Sequence, residues 1–123
     1  MEFKETQAIY LQIGDYICEN ILTGKWGAGA RIPSVREMGM SLEVNPNTVM
    51  RTFDFLQNQG IIFNKRGIGF YVSDNALEKI RIYRKTFFME HELPQFLKNL
   101  HLLGMKIEDI VPYYQKISKE IAK

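Results

Sequence analysis

Arg31, Arg36, Arg51, Lys65 and Arg66 give residues 31–73 five basic side chains against three acidic ones. Asn47 and Thr48 stand beside Arg51 in the sequence and add hydrogen-bonding groups. Together these side chains suit recognition rather than bond-making. An asparagine can pair two-fold with adenine, and an arginine with guanine or with a phosphate. Lys65-Arg66, flanked by Asn64 and Gly67, places two cations where a turn is expected, as a phosphate backbone requires. No Ser/His/Asp, paired-carboxylate or Cys/His arrangement stands out for catalysis. His91 and His101 are not on one helix face and have no cysteine nearby, so no metal site is expected. Gly67-Ile68-Gly69 lacks the rest of a dinucleotide loop and leads into a strand-like run, so it is not read as a phosphate cradle.

The elements that must position these groups can be read from spacing. Ile9, Ile13, Tyr16, Ile17 and Ile21 recur at three- and four-residue steps, which predicts a helix over 9–23. Thr6 is its expected cap and Gly24 its stop. Ser34-Val35-Arg36-Glu37 has the capping-box pattern, predicting a short helix from Val35 to Leu42. Asn45 then suits a cap and Pro46 the first helical position. Val49, Phe53 and Leu56 form the apolar face of that third helix, and Gly60 its end. Asn47, Arg51 and Asp54 project to the opposite side, flanked by Thr48. Ile61-Ile62-Phe63 and Phe70-Tyr71-Val72 predict a β-hairpin whose loop is 64–69. Arg31 reads as a solvated loop charge, with DNA contact as the alternative.

After Ser73 the periodicity changes. One long helix is expected from Asp74 or Asn75 to Leu102 or Leu103, kinked by Pro94. Its broad apolar face holds Leu77, Ile80, Tyr83, Phe87, Phe88, Phe96, Leu97 and Leu100. A last helix is expected over 107–121, with Ile110, Val111, Tyr114, Ile117 and Ile121 on one face.

Composition sets the limits. The 123 residues are 46% hydrophobic and 24% charged, with net charge +2. This is an ordinary globular balance. Residues 1–73 carry seven basic and seven acidic side chains, so charge alone does not argue for nucleic acid. Cys18 is the one cysteine, which excludes an internal disulfide framework and fits a reducing cytoplasm. It lies near the first helix's apolar face, where a buried, inert thiol is expected. No apolar run approaches the roughly 18 residues of a membrane span. The N-terminus reads as no signal peptide, so no membrane partner is expected.

Helix, short helix, tight turn, longer helix and hairpin is the order of a winged helix-turn-helix. The expected class is mostly α with a small β-hairpin: a winged domain over 1–73 and a two-helix dimerisation tail over 74–123. A third helix of this kind fits the major groove, about 12 Å wide. Four motifs then occur in order: Arg31-Ile32-Pro33-Ser34-Val35-Arg36-Glu37, Val44-Asn45-Pro46-Asn47-Thr48-Val49, Gly60-Ile61-Ile62 and Gly67-Ile68-Gly69-Phe70-Tyr71-Val72. With Ile9-Tyr10-Leu11-Gln12-Ile13, they resemble the DNA-binding half of GntR-family transcriptional regulators over about residues 7–73. The Asn-Pro-Asn-Thr-Val form and the fifty residues left after Ser73 are similar to the YtrA-like branch, with its short C-terminal part.

That resemblance implies DNA contacts at Arg36, Asn47, Thr48, Arg51, Arg66 and Gly67, and Asn45 and Lys65 beside them are expected to join the DNA-binding set. Pro46 and Met50 stand where many members carry a basic residue, so neither supplies a charged contact. The tail is too short to enclose a drug-sized pocket of roughly 300 Å³. It is expected to pair with a second copy through Leu77, Ile80, Tyr83, Phe87, Phe88, Phe96, Leu97, Leu100, Ile110, Tyr114 and Ile117. The expected protein is a cytoplasmic homodimeric repressor on an inverted-repeat operator of double-stranded DNA. It needs no cofactor, and a small-molecule effector stays open. The alternative is a winged module that binds protein instead of DNA.

Overall fold

The structure, a computed structural model, describes residues 7–122. Its elements are α1 (Ile9–Leu22), α2 (Val35–Leu42), α3 (Pro46–Asn58), β1 (Ile62–Lys65), β2 (Gly69–Val72), α4 (Ala76–Phe87), a π-helical turn (Phe88–Glu92), α5 (Leu93–Leu102) and α6 (Ile107–Ile121). Two compact units divide after Tyr83.

Local chemistry fixes the helix-turn-helix of the first unit. Ser34 Oγ accepts from the Glu37 N–H at 3.1 Å, and Glu37 Oε1 accepts from the Ser34 N–H at 3.1 Å. This reciprocal cap satisfies donors that the first turn of α2 leaves open. Asn45 Oδ1 accepts from the Asn47 N–H at 2.8 Å, and Pro46 opens α3. Between the helices Glu43 takes a left-handed φ of 58°, and the Val44 N–H donates to the Gly39 carbonyl. The turn is tight. A Cβ on Gly39 would stand 3.0 Å from the Val44 oxygen and 3.6 Å from Pro46 Cγ.

α1 differs at its start. The expected cap, Thr6, lies outside the described residues. The helix begins after Ala8, with no side-chain cap. Ile13, Ile17, Cys18 and Ile21 are buried as the periodicity predicts, whereas Ile9 in the first turn is exposed. α3 ends through a Schellman motif. The Gly60 N–H donates to the Gln57 carbonyl and the Ile61 N–H to Leu56. Gly60 has φ +76°, which a residue without a Cβ adopts at little cost.

The hairpin pairs Ile62 with Val72, Phe63 with Tyr71, Asn64 with Phe70 and Lys65 with Gly69, antiparallel. The expected loop over 64–69 is therefore shorter. Asn64 and Lys65 lie in β1, and the turn is closed by the Ile68 N–H on the Lys65 carbonyl at 2.8 Å. Gly67 sits third in that turn at φ +77°, the position where a type II turn needs positive φ. A third piece of backbone joins the sheet edge. Arg31 bridges Tyr71 antiparallel, Ala30 accepts from the Val72 N–H, and the Ile32 N–H donates to Phe70.

One core holds this unit together. Met38, Val49, Phe53, Leu56, Ile61, Ile62 and Val72 join the α1 residues in it. Each fully buried large apolar side chain there contributes about 1.5–3 kcal/mol before conformational entropy is subtracted. Phe53 meets Phe70 edge-on at 4.7 Å, fixing the hairpin to α3. The core also takes in Ala76 and Ile80 from α4, with Tyr83 packed against it. The first unit thus runs ten residues past Ser73. The expectation that Ile80 pairs with a second copy is corrected: it is 0% exposed within one chain, so it has no surface to offer.

The second unit begins inside α4. A single helix kinked at Pro94 is not what forms. The helix is interrupted by the π turn, where the Leu93 N–H donates to the Phe88 carbonyl five residues back. The ring of Pro94 removes an N–H and crowds the carbonyl four residues earlier. A widened turn just before it relieves that crowding. Phe87 and His91 meet across this turn with ring centroids 4.6 Å apart and planes tilted by 40°. α6 keeps the expected bounds, with Pro112 inside it. Leu100 is 7% exposed in the single chain, which leaves it little surface for a second copy. Phe88, Phe96, Leu97, Tyr114 and Ile117 are exposed, as is Leu77 of the first unit. Phe87 and Ile110 are half-buried. No helix among the described residues is long and apolar enough to cross a membrane.

Candidate nucleic-acid interface

α3 carries the central part of the candidate surface. Val49, Thr52, Phe53 and Leu56 are buried, which turns Asn47, Arg51 and Asp54 outward, all exposed. Thr48 is half-buried at the edge of this face. Asn45 splits its side chain between two tasks. Its carbonyl oxygen caps the helix, which leaves its amide group as a donor.

Arg36 is the second residue of α2 and is exposed. The acid beside it, Glu37, is held by the cap. The Ser34 backbone N–H foremost, then the Ser34 hydroxyl and the charge of Arg31, keep the Glu37 carboxyl below its usual range. Glu37 is thus held as a structural acceptor within the cap of α2.

The hairpin supplies the third group. Lys65, Arg66 and Gly67 are exposed. Lys65 Nζ stands 4.3 Å from the Tyr71 ring centroid and 6.0 Å from that of Phe63. Those two rings stack at 5.9 Å. An ammonium over aromatic faces is steadied without losing its donors. Arg31 belongs here as well. A Cβ on Gly69 would stand 2.9 Å from Arg31 Nε, so the guanidinium lies across that glycine while its charge reaches Glu37. Sequence position alone left Arg31 undecided. The signal in its favour was the second glycine of Gly67-Ile68-Gly69, which leaves room for a crossing side chain.

The expected DNA residues therefore occupy the start of α2, the outer face of α3 and the wing. Core packing, notably Phe53 on Phe70, sets the spacing of α3 and wing rather than bonds between their polar groups. Arg51 lies on the expected side of α3 and makes a contact that the sequence did not report. Its Cζ lies 3.9 Å from the centroid of the Tyr10 ring on α1. The arrangement can present amide and guanidinium donors to base edges and fixed cations to phosphates. Among the described residues no group of three or more His, Cys, Asp or Glu is placed to hold a metal ion.

Comparison with known proteins agrees with this geometry. Residues 9–72 match the bacterial regulatory proteins of the gntR family. The HTH-type transcriptional repressor YtrA of Bacillus subtilis is 31% identical over 118 residues, covering 96% of this chain and 90% of YtrA. A GntR-family transcriptional regulator from Bacteroides thetaiotaomicron superposes with a TM-score of 0.78 at 46% identity, over 92% of this chain and 99% of that one. The AraR DNA-binding domain, solved in complex with operator ORR3, superposes with a TM-score of 0.54 at 26% identity, over 59% of this chain and 86% of its own. The winged helix-turn-helix, the matched segment and the full-length likeness to YtrA agree: this chain belongs to the GntR family of bacterial transcriptional regulators, in its short-tailed, YtrA-like branch.

Proposed function

We propose that this protein is a transcriptional repressor that binds an inverted-repeat operator as a homodimer. The observation that carries this reading is the exposed Asn47–Arg51 face of α3, flanked by cations at Arg36 and on the wing. In this reading Asn47 and Arg51 contact base edges. Arg36, Lys65 and Arg66 hold phosphates. Asn45, Thr48 and the Gly67 backbone complete the fit. The operator-bound AraR domain supports duplex DNA as the partner, and the YtrA name supports repression.

Dimerisation rests on the tail. Phe88, Phe96, Leu97, Tyr114 and Ile117 are each at least 41% exposed in the single chain, and large exposed apolar side chains on amphipathic helices suit a protein–protein contact. A second copy would cover it, and two-fold symmetry in the protein calls for two-fold sites in the DNA. Cytoplasmic location follows from acting on chromosomal DNA.

The test is Asn47→Ala, measured by fluorescence anisotropy on operator and random duplexes. Losing a two-fold contact to a base should lower discrimination by about 1–3 kcal/mol while sparing non-specific affinity. Full discrimination in the variant would show that α3 does not read bases through Asn47. A wild-type protein that binds no duplex would leave the protein-binding alternative.

A further inference from the structure

We propose that Tyr10 is a positioning residue for DNA reading: its ring fixes the direction of the Arg51 guanidinium. The proposal rests on the DNA-binding reading above and adds a residue on α1 that makes the arginine selective. The Arg51 Cζ lies 3.9 Å from the Tyr10 ring centroid, within stacking or cation–π distance. Such a contact occupies the π face of the guanidinium. Its five N–H donors lie in the plane of the fork, so they stay available for a guanine or a phosphate. A salt bridge would instead consume those donors.

Tyr10 is itself held from two directions. The Thr52 hydroxyl, buried on α3, donates to the Tyr10 carbonyl at 2.7 Å. The Tyr10 ring meets Phe55 edge-on at 6.1 Å and 80°, and Phe55 meets Tyr83 of α4 at 5.2 Å and 74°. Phe55 and Tyr83 both pack against the core. The support for Arg51 is therefore a row of rings ending in α4, anchored to α3 by a short hydrogen bond. An exposed arginine would otherwise sample many rotamers and lose that freedom on binding. Restricting it beforehand favours the one operator geometry that meets the fixed fork.

The test uses the full chain with four variants: Tyr10→Leu, Tyr10→Phe, Arg51→Ala and the double variant that joins the first and third. Tyr10→Leu keeps an apolar side chain beside Phe55 but removes the aromatic face, while Tyr10→Phe keeps the face. Operator and random-duplex affinities are measured across salt concentrations. Tyr10→Leu should lose about two- to five-fold in operator discrimination, the scale of an exposed cation–π contact. Its salt slope should be unchanged, because no phosphate contact is lost. Tyr10→Phe should match wild type. In the Arg51→Ala background Tyr10→Leu should have no further effect.

A second readout needs no DNA. The Arg51 Nε–H resonance should be displaced by the Tyr10 ring current, and Tyr10→Leu should return it to the ordinary arginine position. Wild type that prefers no duplex overturns the DNA reading, and this proposal with it. Wild type that discriminates while Tyr10→Leu discriminates equally, or adds its loss to that of Arg51→Ala, overturns the positioning role alone.

Discussion

Ile80→Ala separates two roles that α4 could have, completing the winged domain or pairing copies of the chain. Ile80 is 0% exposed and belongs to the same core as Phe53 and Val72. The substitution removes roughly three methylene equivalents, or about 2.4 kcal/mol of transfer free energy at ~0.8 kcal/mol each. The cavity left behind adds to this, and such changes cost about 2–5 kcal/mol. Taking about 3 kcal/mol and roughly 4–8 °C per kcal/mol for a domain of this size, Tm should fall by roughly 12–24 °C. The loss belongs to one chain, so it should be the same at protein concentrations about tenfold apart, unlike that of a dimer-linked site. Ile117→Ala is the control. Ile117 is 54% exposed in the single chain, so its replacement should leave the winged domain intact and weaken association. Thermal unfolding by circular dichroism and sedimentation equilibrium read both quantities. If Ile80→Ala leaves Tm within about 2 °C, less than the shift for 1 kcal/mol, yet dissociates the dimer, the packing of α4 described above is wrong.

Three further outcomes follow from the same geometry. Because Glu37 is held below the usual carboxylate range by Ser34 and Arg31, its stabilising effect is present above its unfolded pKa. That effect is lost as pH falls through the lowered folded value. The stability difference between wild type and Glu37→Gln should therefore shrink on acidification below about pH 4.3, and a pH-independent difference in acid unfolding would contradict this. Lys65→Ala should weaken binding to operator and random DNA alike and make log affinity fall less steeply with log salt, by about one unit of slope. A change confined to one operator position would put Lys65 on a base instead. Glu43→Gly relieves a left-handed backbone that costs an L-residue roughly 1–2 kcal/mol, partly offset by glycine's greater unfolded-state freedom. Denaturant unfolding should show a small gain, and a clear loss would mean that the Glu43 side chain holds the turn.

The helix-turn-helix was legible because its signals are local. Ser34 and Glu37 are three residues apart, and Asn45 caps through an amide two residues on. The hairpin strands were displaced because Asn64 and Lys65 look like loop residues. A two-stranded ribbon with one exposed face needs only backbone pairing there. The strand piece at Arg31 is a single bridge and leaves no periodic trace. Amphipathicity located the apolar face of α4, but a face does not say which body covers it, and Ile80 went to the domain core. Pro94 predicts a kink in the long helix, and the π turn just before it is the form the interruption takes. The least legible feature was the stack of Arg51 on Tyr10, which joins two helices far apart in sequence. No spacing rule reports that contact. Roles on DNA came from family resemblance and helical projection together.

The central claim is that two copies read a two-fold DNA site through α3. Selection of bound sequences from a random duplex library by the full chain, with the stoichiometry of the winning complex measured by sedimentation, tests it most directly. The account predicts an inverted repeat with half-site centres about one helical turn, or 10–10.5 bp, or a multiple of it apart, and two chains per duplex. A single unpaired half-site bound by one chain, or no enriched sequence at all, would contradict it.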